Sequence, residues 1–241
     1  MRLRVRFAKH GKVRWTSHRD VARMWERAFR RVGLPVAWTG GFSPRPRVSF
    51  GLALPTGCES EAEYLDVDLD GELGRDGAHL DPLTLPARLG AALPVGMDVT
   101  AVAVLDDKAE SLQQVVTCCT WRIELPGVTH DEAAGLVARA LAADTLVVTR
   151  ERKGHLVTDD LRPAIRALHV VASGPAGTEL EAELATQPRG VRPGELLLAL
   201  GLPPTGGRIR RLYQWIERDG ARWEPLPPAV PAAPHAEARA S

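Results

Sequence analysis

Ser17-His18-Arg19-Asp20-Val21-Ala22-Arg23-Met24-Trp25-Glu26-Arg27-Ala28-Phe29-Arg30-Arg31-Val32-Gly33 is the stretch whose reading decides the fold. Ser17 with Asp20 three residues on is a capping-box-like start in which the shorter acid replaces Glu, and Gly33 followed by Pro35 is a stop. Val21, Met24, Trp25, Ala28, Phe29 and Val32 recur at three- and four-residue spacing, so one side of this helix is core. Arg19, Arg23, Arg27 and Arg31 recur every fourth residue beside that stripe. Each like-charged pair at this spacing costs a few tenths of a kcal/mol in an isolated helix. A row that is locally unfavourable is easiest to understand with an anionic partner.

Upstream, Arg2 to Phe7 alternates, with Leu3, Val5 and Phe7 on one face and Arg2, Arg4 and Arg6 on the other. The pattern predicts a half-buried strand with a cationic outer face. Like charges on that face favour either an anion or acidic neighbours across from them. Lys9 to Lys12 reads as a turn, with Val13 to Trp15 extended. Downstream, Leu34 to Thr39 reads as a short strand and Gly40-Gly41 as a backbone path closed to residues with a Cβ. In Phe42-Ser43-Pro44-Arg45-Pro46-Arg47 two prolines hold an extended course from which two arginines project. Val48 to Leu54 is a strand, Glu59 to Glu63 an acidic loop, and Tyr64 to Leu69 a strand with a polar face of Tyr64, Asp66 and Asp68. Pro82 to Leu93 reads as a helix and Val99 to Leu105 as a strand.

The order strand, helix, two strands, helix, strand predicts a ferredoxin-like unit over residues 1–107. A similar order follows over 108–223. Val115 to Leu125, Ile165 to Ser173, Thr178 to Ala185 and Ile209 to Glu217 are strands; Thr129 to Ala143 and Pro193 to Leu200 are helices; a hairpin turns at Lys153-Gly154. The expected class is α+β, as tandem ferredoxin-like (βαββαβ) sandwiches with antiparallel sheets. The Pro- and Ala-rich residues 224–241 read as a disordered tail.

The 241 residues are 44% apolar and 25% charged, ordinary globular material for two domains. The net charge of +1 conceals segregation: residues 1–50 hold thirteen Arg/Lys against two acids, and 51–144 hold seventeen acids against five Arg/Lys. The basic end implies a local field that collects phosphates. No run approaches the roughly twenty apolar residues of a membrane span, and the start lacks a signal-peptide core, so a cytoplasmic protein is expected. Cys58, Cys118 and Cys119 suit a reducing compartment and form no metal or iron–sulfur motif. No metal or cofactor is expected.

The block from His18 to Tyr64 resembles the radical-SAM-linked protein family, domains of unknown function found alone or attached behind a radical S-adenosylmethionine protein. The likeness lies in Ser17-His18-Arg19-Asp20, Glu26 to Arg31, Gly41-Phe42-Ser43-Pro44-Arg45-Pro46, Leu54-Pro55-Thr56-Gly57 and Glu59 to Leu65. Weaker echoes stand at Asp160-Leu161-Arg162-Pro163 and Arg192-Pro193-Gly194-Glu195. The resemblance implies a partnership with a radical SAM enzyme. This chain lacks the three-cysteine cluster motif, and Arg45 stands where a His is common in the family, a departure that favours phosphate binding over catalysis in the loop. A more distant likeness, at the level of fold alone, is to CRISPR repeat-processing endonucleases, with Pro203 to Arg208 as a loose counterpart of their Gly-rich loop.

Three functions follow as expectations. The first is an accessory protein that binds RNA (tRNA or rRNA) through Arg4, Arg6, Lys12, Arg19, Arg23, Arg27, Phe42, Ser43, Arg45 and Arg47, supporting RNA modification or processing. Trp15, Trp38 or Phe42 beside the arginines would suit stacking on single-stranded bases, although core packing is the commoner use of each ring. The second is a protein-interaction module docking an acidic partner enzyme. The third is a metal-independent RNA endonuclease with His10 and His18 as base and acid. Glu59, Glu61, Glu63 and Asp66 read as a solvated edge in preference to a metal site.

Overall fold

The computed structural model describes residues 1–71, 80–105, 109–152, 154–204 and 206–226. The chain is α+β, its strands paired mainly antiparallel. It divides into two compact units. The first comprises Met1–Thr56 and Ala62–Gln113, with the described residues 225 and 226; the second comprises Gly57–Glu61 and Gln114–Glu224. The expected boundary at 106–108 and residues 227–241 of the expected tail lie outside the described residues.

In the first unit β1 (Arg2–Lys9) leads through a 3-10 turn (Gly11–Trp15) into α1 (His18–Val32). There follow β2 (Val48–Phe50), β3 (Glu59–Asp68), α2 (Leu85–Ala92), β4 (Met97–Leu105) and the single turn α3 (Leu112–Val115). The strand order is β4-β1-β3, with β2 on the far side of β3. β1 and β4 run antiparallel from Arg2 opposite Leu105 to Lys9 opposite Met97. Leu3, Val5 and Phe7 share one core with Leu65, Val67, Val21, Trp25, Phe29, Leu85 and Leu89. Trp25 sets its ring 5.0 Å from Phe7, edge to face, and 5.4 Å from Phe29. The core face of β1 and the apolar stripe of α1 are therefore those the periodicity predicts.

The opposite face of β1 is not wet. Arg2, Arg4 and Arg6 meet Asp68, Asp66 and Tyr64 in turn, the partner number falling as the arginine number rises, so β3 runs antiparallel to β1. Tyr64 also packs on Ala62 and on Leu112 of α3. Asp68 and Asp66 neutralise Arg2 and Arg4, and Arg6 donates to the hydroxyls of Tyr64 and Thr100, so protein groups and not solvent cover the arginine face.

The second unit contains β5 (Cys118–Pro126), α4 (His130–Ala142), β6 (Val147–Arg152), β7 (His155–Asp160), a 3-10 turn (Arg162–Ala164), β8 (Ile165–Gly174), β9 (Gly177–Ala185), α5 (Pro193–Ala199), β10 (Ile209–Arg218) and β11 (Ala221–Trp223). The order β10-β5-β9-β8 is antiparallel throughout, and Glu59-Ser60 pairs parallel beside Arg210-Arg211. β6 and β7 form a separate hairpin. A closed ring of charges ties that hairpin to α5: Arg150 meets Glu195 at 3.1 Å and Asp159 at 3.2 Å, and Arg189 meets the same two acids at 2.8 and 3.1 Å. The three cysteines are buried thiols, and burial pushes that of Cys118 up to about 12.

Several expectations are corrected. Val13 to Trp15 lies in a 3-10 turn, not an extended segment. Leu34 to Thr39 makes only the isolated bridges Val36 to Leu69 and Trp38 to Pro46, and the next strand ends at Phe50 instead of Leu54. Glu59 to Glu63 is the start of a strand, not an acidic loop, because Glu59 and Glu61 face Arg208 and Arg210. The strand expected from Val115 begins at Cys118, after a turn of helix. The turn expected at Lys153-Gly154 and the loop Pro203 to Arg208 fall partly outside the described residues.

Candidate nucleic-acid interface

Helix α1 is fixed at both ends by local hydrogen bonds. The Asp20 N–H donates to Ser17 Oγ at 3.2 Å, and that hydroxyl donates to the Asp20 carboxylate at 2.7 Å. Gly33 takes the left-handed conformation (φ 75°) and donates its N–H to the carbonyls of Arg30 and Phe29. With Val21, Trp25, Ala28 and Phe29 buried, the outward face is set. It presents Arg19, Arg23 and Arg27, all exposed. Arg23 leans toward Asp20 at 3.7 Å, and Arg27 Nε donates to the Arg23 carbonyl at 3.2 Å. Arg31 turns away to the Ala92 carbonyl at 3.0 Å. The row of four thus becomes three arginines on the outer face and one tied to the end of α2.

After α1 the Gly/Pro loop forms a finger on a short hairpin stem. Arg47 N–H donates to Ala37 O at 2.8 Å and Thr39 N–H to Arg45 O at 2.8 Å. Arg45 N–H returns to Thr39 Oγ1 at 3.0 Å. The tip is Gly40-Gly41-Phe42-Ser43-Pro44, where Gly41 has φ 104°, a conformation that side chains resist. Phe42 is fully exposed, and Ser43, Arg45 and Arg47 are exposed around it. Arg47 meets Asp68 at 3.0 Å, the carboxylate that Arg2 also holds, at 2.6 Å. The Arg2 hydrogen bond, aided by the fields of Arg2 and Arg47 against burial, keeps the Asp68 carboxyl below its ordinary value.

At the other end of α1 the 3-10 turn carries Lys12 exposed, and Arg14 lies over the Trp15 ring at 5.2 Å. Trp15 is 64% exposed. His18, the first helical residue, sets its ring 5.0 Å from Phe50. It lines a small cleft with Phe7, Lys9, Glu63, Tyr64 and the segment Phe50–Leu54. His10 is not among the lining residues; its N–H donates to Gly96 O at 2.8 Å.

Of the ten residues expected to bind RNA, eight are exposed on the first unit: Lys12, Arg19, Arg23, Arg27, Phe42, Ser43, Arg45 and Arg47. Arg4 and Arg6 are not. Arg4 is 5% exposed and donates to both Asp66 oxygens at 2.8 and 2.9 Å. Arg6 is 4% exposed and donates to Thr100 Oγ1 at 3.1 Å. Both are buried inside the first unit, unlike the other eight.

Sequence reasoning missed Lys9 and Glu63 as members of a cleft. A signal existed. Lys9 has the parity of Leu3, Val5 and Phe7, and Glu63 that of Leu65 and Val67, so each puts an ionisable group on a core face. Lys9 Nζ donates to Thr16 O at 3.1 Å. The acids Glu59, Glu61 and Asp66 are engaged by Arg208, Arg210 and Arg4, and among the described residues no group of three His, Cys, Asp or Glu side chains converges on a metal position. Among the same residues no helix is long and apolar enough to cross a membrane.

A model of a family described as an uncharacterized protein conserved in bacteria (DUF2344) matches residues 2–193. No curated protein matches the chain.

Proposed function

The chain belongs to that uncharacterized bacterial family, DUF2344, and we propose that it binds RNA through the outer face of α1 and the adjoining finger. The observation that carries this reading is the exposed series Arg19, Arg23 and Arg27 on a helix whose other side packs into the core through Val21, Trp25, Ala28 and Phe29. Its self-repulsion is released when phosphates replace counterions along it. Lys12 extends the charge at one end of the helix, and Arg45 and Arg47 at the other.

The role is that of an accessory protein, delivering tRNA or rRNA to a modifying or processing enzyme in the cytoplasm. A radical SAM protein as that enzyme is supported by the sequence resemblance of the His18 to Tyr64 block. Both units are read as ferredoxin-like, because each threads one strand order, β4-β1-β3-β2 and β10-β5-β9-β8, with a helix in each crossover. The hairpin β6–β7 is then an insertion in the second.

The test is fluorescence anisotropy of labelled cellular RNA across a salt series. The affinity is expected to fall steeply with salt, and replacing Arg19, Arg23 and Arg27 by Ala is expected to reduce the log–log slope by about 0.7–0.9 for each phosphate that is no longer neutralised. Salt-insensitive or undetectable binding overturns the reading and favours docking of an acidic protein.

A second reading rests on the cleft that gathers His18 with Lys9, Glu63 and Tyr64. In it His18 serves as an acid–base group for metal-independent RNA cleavage. Labelled RNA incubated in chelator decides it: full-length RNA after incubation, or cleavage that survives His18→Ala, removes this reading.

A further inference from the structure

We infer that the RNA is taken as a single strand, laid along α1 with a base stacked at each end of the helix, on Trp15 and on Phe42. This rests on the RNA reading and adds to it the class of substrate. α1 has fifteen residues, which at 1.5 Å per residue is about 22 Å. β1 runs beside it, so the two loops on either side of the helix lie at opposite ends of the same pair of elements. The turn with Trp15 leaves the Lys9 end of β1, whereas the finger stem is pinned at the Met1 end, where Ala37 N–H donates to Asp68 O and Leu69 N–H to Met1 O, both at 2.8 Å.

Both loops present an aromatic ring to solvent. Phe42 is fully exposed, at the tip of a stem that holds it away from any core, and Trp15 is 64% exposed with a guanidinium on its face. A large ring held out by a hydrogen-bonded stem is built to meet something flat. Between them stand the exposed Arg19, Arg23 and Arg27, suited to phosphates. An A-form duplex hides its base faces inside the stack and presents phosphates and 2′-hydroxyls, so exposed rings gain nothing from it. An unpaired strand offers a π-face at every base together with a backbone for the arginines.

The experiment compares full-length protein binding to a fluorescein-labelled adenosine homopolymer and to an RNA duplex at one salt concentration. The single strand is expected to bind at least about tenfold more tightly. Trp15→Ala and Phe42→Ala are each expected to weaken single-strand binding about tenfold while leaving the salt slope unchanged, since each removes a stack and no charge. Phe42→Tyr is expected to keep the affinity. Because both rings are exposed, unaltered melting temperatures are expected to accompany the losses. Duplex binding equal to or tighter than single-strand binding, or aromatic variants with native affinity, overturns this inference and leaves the RNA reading standing. Binding of neither RNA overturns both.

Discussion

Arg4 and Arg19 share a residue type and differ in everything that decides what an arginine does. Arg4 forms a two-point pair with Asp66 inside the first unit, and Arg19 stands in water on the outer face of α1. Arg4→Met strands the Asp66 carboxylate and is expected to cost about 3–5 kcal/mol in urea denaturation, with no change in the salt slope of RNA binding. Arg19→Ala is expected to do the reverse, shifting stability by no more than about 0.5 kcal/mol while lowering that slope. Alternation along β1 made the parity of these residues legible. It could not say what covers each face, and the answer lay some sixty positions away at Asp66 and Asp68. Asp68 also carries a pH dependence. Its pKa is depressed in the folded state, so its contribution is complete above the ordinary carboxylate value of 3.8 and is lost as pH falls through the lower folded value. The stability gap between the wild type and Asp68→Asn, measured by denaturant titration, is therefore expected to be constant near neutrality and to shrink as pH drops below 3.8.

Among the elements, α1 was the most legible, because its cap, its stop and its stripe are local signals that agree. The finger was legible only in part. Gly40-Gly41 and the two prolines announce a turn and an extended course, but the pairing of Thr39 with Arg45 and of Ala37 with Arg47 has no local signature. The start of β3 was misread for the opposite reason: its acids looked like a loop because the arginines opposite them come about 150 residues later. The turn bearing Trp15 depends on an element as well as on itself. Gly96, at φ 91° before β4, lies so near that a Cβ there would stand 2.5 Å from the His10 carbonyl oxygen. Gly96→Ala is expected to cost about 1–3 kcal/mol in thermal or urea unfolding. It is also expected to weaken RNA binding by displacing the turn, although Gly96 itself has no group to offer an RNA.

For the whole molecule, the sum of charges says less than their local pairing. Sheet acids of the second unit are met by arginines, as where Arg122 meets Glu179 and Glu181 or Arg222 meets Glu183, whereas on the α1 outer face Arg23 only leans toward Asp20 at 3.7 Å. Retention on a heparin column is therefore expected to fall for the double variant Arg19→Ala, Arg23→Ala. It is expected to change little for Arg122→Ala, Arg222→Ala, which alters the net charge equally but removes guanidiniums already met by Glu179, Glu181 and Glu183. The charge asymmetry was plain in the sequence, but which of the thirteen basic residues before position 51 are occupied was not. Finally, β3 is a single strand whose Glu59–Glu61 portion is counted with one unit and whose remainder is counted with the other. No single cut of the chain consequently separates the units cleanly: a fragment ending at Gln113 would take Glu59 and Glu61 with it and leave Arg208 and Arg210 behind.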